Sequence, residues 1–132
     1  MIVKSFSIDY EKLFDTYNIN LLYGENFHLK NEIIGKLSEL FKKNNYKTTF
    51  LRQEDLSKNI EILDNYVNQD NLFGDKEILI IKDATDRLLD FLNLDNFDKQ
   101  IIIVSDNLPK NSKLRNIAEK SKIVSCIACY DD

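Results

Sequence analysis

The sequence predicts an α/β domain of three layers, a five-stranded and mainly parallel sheet with helices on both faces. Five short apolar runs recur along the chain, and amphipathic helical patterns fill most of the gaps between them. Three of the runs are continuous rather than alternating, as strands covered on both faces are. Strand alternating with helix implies right-handed crossovers, and these make neighbouring strands parallel.

The elements follow in order. Residues 9–17 form a short helix ahead of the first strand, 19–23 "INLLY", which is expected to lie centrally in the sheet. A helix over about 27–43 comes next. Its Ile33, Ile34, Leu37, Leu40 and Phe41 fall on one stripe, and Asn26 is its N-cap. The second strand is 46–51 "YKTTFL". A helix over about 57–68 points Ile60, Leu63 and Val67 inward, with Ser57 as its cap. The third strand, 77–82 "EILIIK", leads into a short helix, "ATDRLLDFL". After the fourth strand, 100–105 "QIIIVS", "NSKLRNIAEK" opens a helix past Pro109 with Asn111 or Ser112 as cap. The last strand is 123–129. No repeat, linker or low-complexity tract interrupts the pattern, so residues 1–132 read as one domain.

Composition narrows the class. With 132 residues, 43% apolar and 30% charged, and only three glycines and one proline, the chain suits a single folded core. No apolar run approaches the roughly 20 residues a membrane span needs, and "MIVKSFSIDYEKLF" lacks the apolar stretch of a signal peptide. A cytoplasmic protein without membrane contact is expected. The net charge of −4 argues against a domain that wraps nucleic acid by itself. The charge is uneven, however. Residues 83–98 carry five aspartates against one arginine, whereas 109–122 carry Lys110, Lys113, Arg115, Lys120 and Lys122 against Glu119 alone. A solvated helix face explains the basic segment most simply; a DNA or partner contact through Lys110, Lys113 and Arg115 is the alternative.

Cys126 and Cys129 form a C-x-x-C inside a strand-like run. Such residues point to opposite faces, so their sulfurs cannot share a metal or close an easy disulfide. His28 is the only histidine, and a zinc site wants four ligands. Core or surface thiols, and no metal, are expected.

The first strand-to-helix turn is where a phosphate would bind in such a fold. Setting G-x-x-x-x-G-K-[ST] on Gly24 places the lysine on Lys30, a match. The second glycine falls on Leu29, whose bulk disfavours the inward curl of the backbone, and the metal-binding hydroxyl falls on Asn31. Glu25 adds an anion where phosphate should lie. Lys30 then reads as a surface helix lysine. Asp83 and Asp86 follow the third strand without forming an acidic pair at its end. Ser105 and Asp106, at the tip of the fourth, have no converging partner. The expectation is a nucleotide-type topology with a degenerate site: no catalytic residue, no cofactor and no stabilisation by ATP with Mg²⁺.

One segment fits a plain core poorly. In "NQDNLFGDKE", Leu72 and Phe73 stand together among polar neighbours, flanked directly by Asn71 and Gly74. They either tuck down to plug the end of the sheet or protrude as an anchor for a partner's pocket.

"LLYGEN" opening a helix, "NLFGDKEILIIKDA" in the middle and "IIIVSDNLPKNSKLRNIAEK" toward the end resemble the delta subunit of bacterial DNA polymerase III, over nearly the whole chain and in consistent order. The resemblance implies an AAA+-like, P-loop-like N-terminal domain that hydrolyses no ATP. On that resemblance, the lid and C-terminal collar domains of the clamp-loader subunit are expected to be absent from residues 1–132. The resemblance also implies that Leu72 and Phe73 enter a hydrophobic pocket of the beta sliding clamp and help to open it for loading onto primed DNA. The partners it implies are the delta-prime and tau/gamma subunits, within a DNA-directed DNA polymerase holoenzyme. A flavodoxin-like or other nucleotide-fold domain with a non-replicative binding role is the alternative.

Overall fold

The computed structural model describes residues 1–68 and 76–131, with side chains described through Tyr66 and again from Lys76. Six strands form one sheet: β1 (Ile2–Lys4), β2 (Ile19–Tyr23), β3 (Tyr46–Arg52), β4 (Lys76–Lys82), β5 (Ile101–Val104) and β6 (Val124–Ala128). Their order is β1-β6-β2-β5-β4-β3, and every pairing among them is parallel. β2 is an interior strand with all five residues buried, the polar Asn20 included.

The sheet therefore has six strands rather than the expected five. "IVK" is too short to carry a periodic signal, and β1 is recruited from outside itself. Ile2 pairs in register with Cys126, and the Met1 ammonium donates to the carbonyls of Ala118, Ser121 and Val124 at 2.7, 2.8 and 2.9 Å. The positive amino group thus sits where the last helix in the chain, Lys113–Lys120, exposes its final carbonyls.

Helices cover both faces. On one lie α1 (Tyr10–Thr16) and α2 (Phe27–Lys43), which bury Leu13, Ile33, Ile34, Leu37 and Phe41 against Leu22, Ile80 and Ile102 of the sheet. On the other lie α3 (Gln53–Lys58), α4 (Glu61–Asn68), α5 (Lys113–Lys120) and two 3-10 segments, Asp86–Asp90 and Leu94–Asn96. Leu56, Leu63, Leu88 and Leu114 meet Leu21, Leu79 and Ile103 there. Cys126 belongs to this second core and Cys129 to the first, so the two thiols do face opposite sides of the sheet. Both are free and buried, and burial pushes them up to about 12 and about 11.

Two helical expectations need correction. The helix placed over 57–68 is two helices, broken at Asn59. The Asn59 side chain accepts from the Glu61 amide (3.2 Å), a local turn that competes with helix continuation. Ile60 consequently stands exposed instead of facing inward, and Ser57 lies inside α3 rather than capping a helix. "ATDRLLDFL" makes only a 3-10 turn, capped by Thr85, because so short a segment cannot carry the cost of an α-helical nucleus. The other caps fall as expected: Asn26 accepts from the Leu29 amide and Ser112 from that of Arg115.

Candidate functional site

Parallel strands bring the carboxyl ends of β2, β4, β5 and β6 to one edge of the sheet, where an α/β fold receives its ligands. The turn after β2 is Gly24-Glu25-Asn26, and α2 begins at once with Phe27. Lys30 is therefore already inside the first turns of a helix. A phosphate loop would need residues 25–29 to curl around the phosphate with their amides inward; here 27–29 are helical.

The turn's own hydrogen bonds close it further. The Gly24 amide donates to the Asp106 carbonyl (3.1 Å), that of Asn26 to the Cys129 carbonyl (2.9 Å), and that of Leu29 to the Asn26 side chain (3.0 Å). Three amides that a phosphate cradle would turn inward are thus committed to the protein. Gly24 has φ +123°, and a Cβ there would lie 2.2 Å from the Cys129 carbonyl oxygen. Glycine is needed because two strand tips meet there, not because phosphate approaches.

Lys30 overturns its expectation as a surface residue. It is 5% exposed, and its Nζ donates to the Ser105 carbonyl (3.0 Å) and lies 3.7 Å from Asp106 Oδ1. The expectation that nothing converges on Ser105 and Asp106 fails for the same reason. A lysine in the first turns of a helix can snorkel along apolar walls to a strand tip, a contact between residues 75 apart in the chain. Together Phe27, Lys30, Asn31, Ile34, Lys82, Asp83, Val104, Ser105 and Asp106 surround a cleft of about 80 Å³. That is well below the roughly 300 Å³ at which sites for drug-sized molecules begin.

Asp83, in the left-handed region at φ 57°, pairs with Arg52 at 3.7 Å. Asp86 turns to α5, accepting from Ser112 Oγ (2.6 Å) and from the amides of Leu114 (3.0 Å) and Lys113 (3.1 Å). Burial by itself would raise the carboxyl, but these hydrogen bonds outweigh it and hold Asp86 below its ordinary range. The sequence offered no sign of this long-range cap beyond an aspartate near a strand end.

In the basic segment, Arg115 is engaged internally. It donates from Nε to Glu119 (2.7 Å) and from Nη1 to the Leu108 carbonyl (2.9 Å), and its guanidinium stacks 5.1 Å over the Tyr23 ring. Lys110 and Lys113 are exposed. Asn71, Leu72, Phe73 and Gly74 lie outside the described residues.

Among the described residues no group of three metal-ligating side chains occurs, and no helix is long and apolar enough to cross a membrane. Fold and site together define a parallel α/β domain with a helix where a phosphate loop would be. No protein-family model matches the chain, and a comparison with curated proteins likewise finds no match.

Proposed function

We propose that the chain is an AAA+-like domain that neither binds nor hydrolyses nucleotide and serves as a protein-binding module of a bacterial clamp loader, as its resemblance to the delta subunit implies. The observation that carries this reading is the closed β2–α2 turn: helix from Phe27, amides spent internally, Lys30 folded onto Ser105. Such a domain has kept the layout of a nucleotide fold while its phosphate position is filled by protein, so its function must lie in contacts made elsewhere. Leu72 and Phe73 are the contacts of choice, with Asn71 and Gly74 flanking them. Their pocket would be on the beta sliding clamp, and primed DNA, delta-prime and tau/gamma would be met through the assembled loader. Against the flavodoxin-like alternative stands strand order. The five longer strands in chain order run 5-1-4-3-2 across the sheet, not 2-1-3-4-5.

The test measures two quantities on one variant, Leu72→Ala with Phe73→Ala. Burying each side chain in a clamp pocket is worth about 1.5–3 kcal/mol, so clamp affinity should fall on the order of a hundredfold or more. Melting temperature should change little. Collapse of stability in the variant, together with no clamp affinity in the parent chain, would sink the clamp reading and favour a plug at the sheet's end.

A further inference from the structure

We propose that β3 accepts an acidic, extended segment of a partner protein as a further strand of the sheet. β3 closes the sheet at one end. It pairs with β4 and packs on α2 and α3, and among the described residues no strand pairs with its outer side. At seven residues it is the longer of the two edge strands, against three in β1, and none of its residues is fully buried. A strand edge of that length presents a row of unpaired amides and carbonyls that an added strand can use. The proposal is independent of the clamp reading, because β3 contains neither Leu72 nor Phe73.

The two faces of this edge select the partner's side chains. On the face toward α3 and α4, Thr49, Leu51, Ile62 and Leu79 help to line an open groove of about 480 Å³. On the face toward α2, Lys76 stands 5.4 Å over the Tyr46 ring, and Lys82 stands 5.1 Å over that of Phe50, which is 55% exposed. Both ammonium groups thus lean from β4 across β3, toward its free side. Alternate residues of an added strand fall on opposite faces, so apolar side chains on one face and carboxylates on the other match both. The net charge of the edge points the same way. β3 and β4 carry Lys47, Arg52, Lys76 and Lys82 against Glu77 alone, in a chain of net charge −4. Glu77 already accepts from Thr49 Oγ1 (2.6 Å), and Asp83 offsets Arg52. A second copy of this chain is disfavoured as the occupant, since two β3 edges side by side would set these cations against one another. Lysine on an edge strand guards against like edges, and the same charge favours an acidic one.

The experiment titrates the full chain with a capped seven-residue peptide of alternating glutamate and valine, the length of β3. Heat of binding and amide hydrogen exchange along residues 46–52 are followed. Saturable binding that slows exchange in β3 and weakens with added salt is expected, while a peptide with lysine in place of glutamate should not bind. Replacing two adjacent central residues of the peptide by proline removes donors from both of its edges and should abolish binding. Lys76→Glu with Lys82→Glu, both at exposed positions, should weaken the acidic peptide about tenfold or more. Lys110→Glu with Lys113→Glu, in the other basic segment, should leave it unchanged. The two control peptides need no variant, and they decide the matter if the charge-reversed chain does not fold. No saturable binding, or equal binding of the lysine or proline peptide, would overturn the proposal. So would affinity unchanged by Lys76→Glu with Lys82→Glu, or a loss as large in Lys110→Glu with Lys113→Glu. A concentration-dependent dimer protected at β3 would make a second copy the occupant and overturn it as well.

Discussion

Of the helices that begin at the carboxyl edge of the sheet, α2 and α5 treat their N-termini in opposite ways. α5 receives an anion from within: Asp86, on the far side of β5, accepts from Ser112 Oγ and from the first two amides of the helix. α2 receives a neutral cap, Asn26, and then presents a cation, Lys30, from its first turns. The α5 end is a finished anion site whose anion is part of the chain. The α2 end resembles a nucleotide site by position, but its turn is tied to Asp106 and Cys129 instead. The contrast separates where a ligand would sit in this fold from what the local hydrogen bonds leave free to bind one.

The largest expected effect comes from breaking the α2 turn. Gly24→Ala combines a positive φ with a backbone collision at Cys129, where no flexible side chain can yield. A loss of more than about 3 kcal/mol, or failure to fold, is expected in chemical denaturation. A stable variant would show that the β2–α2 turn is adaptable after all.

Opening the α5 end should cost less. Asp86→Ala removes a charged cap and should lower stability by about 2 kcal/mol. The effect has a pH signature. Because the folded state holds Asp86 below its ordinary value of 3.8, its contribution is fully present above that pH and lost as pH falls through the folded value. Acid titration of stability should therefore be shallower in Asp86→Asn than in the parent chain; identical curves would remove the carboxylate from the account.

Asn26→Ala takes a neutral cap from α2 and should cost about 1 kcal/mol, less than Asp86→Ala by the difference between a neutral and a charged acceptor. Equal losses would erase the distinction between the two ends. Smallest of all, Lys110→Glu with Lys113→Glu should change stability by no more than about 0.5 kcal/mol, since both side chains are exposed. If the clamp-loader proposal holds and Lys110 and Lys113 meet DNA phosphates, the same two substitutions should flatten the salt dependence of DNA-dependent loading.

Local pattern was enough for the layers, the interior position of residues 19–23, the long helix and its Asn26 cap, the Ser112 cap and the opposed faces of Cys126 and Cys129. These depend on periods of two and 3.6 residues and on side chains that bond within three positions, so the information is all nearby in the chain. The departure of the β2–α2 turn from G-x-x-x-x-G-K-[ST] at Leu29 and Asn31 was also legible in the sequence. What only the tertiary structure decided are partnerships across long separations. β1 exists because β6 offers an edge and α5 offers carbonyls to the Met1 ammonium. Asp86 becomes a cap only when β4 and α5 are brought together. Lys30, polar and on a helix, reads as surface by composition, and only the approach of the β5 tip turns it inward to Ser105. A hydrogen bond between groups 75 residues apart leaves no periodic trace, because its geometry belongs to the packing of the sheet rather than to either segment.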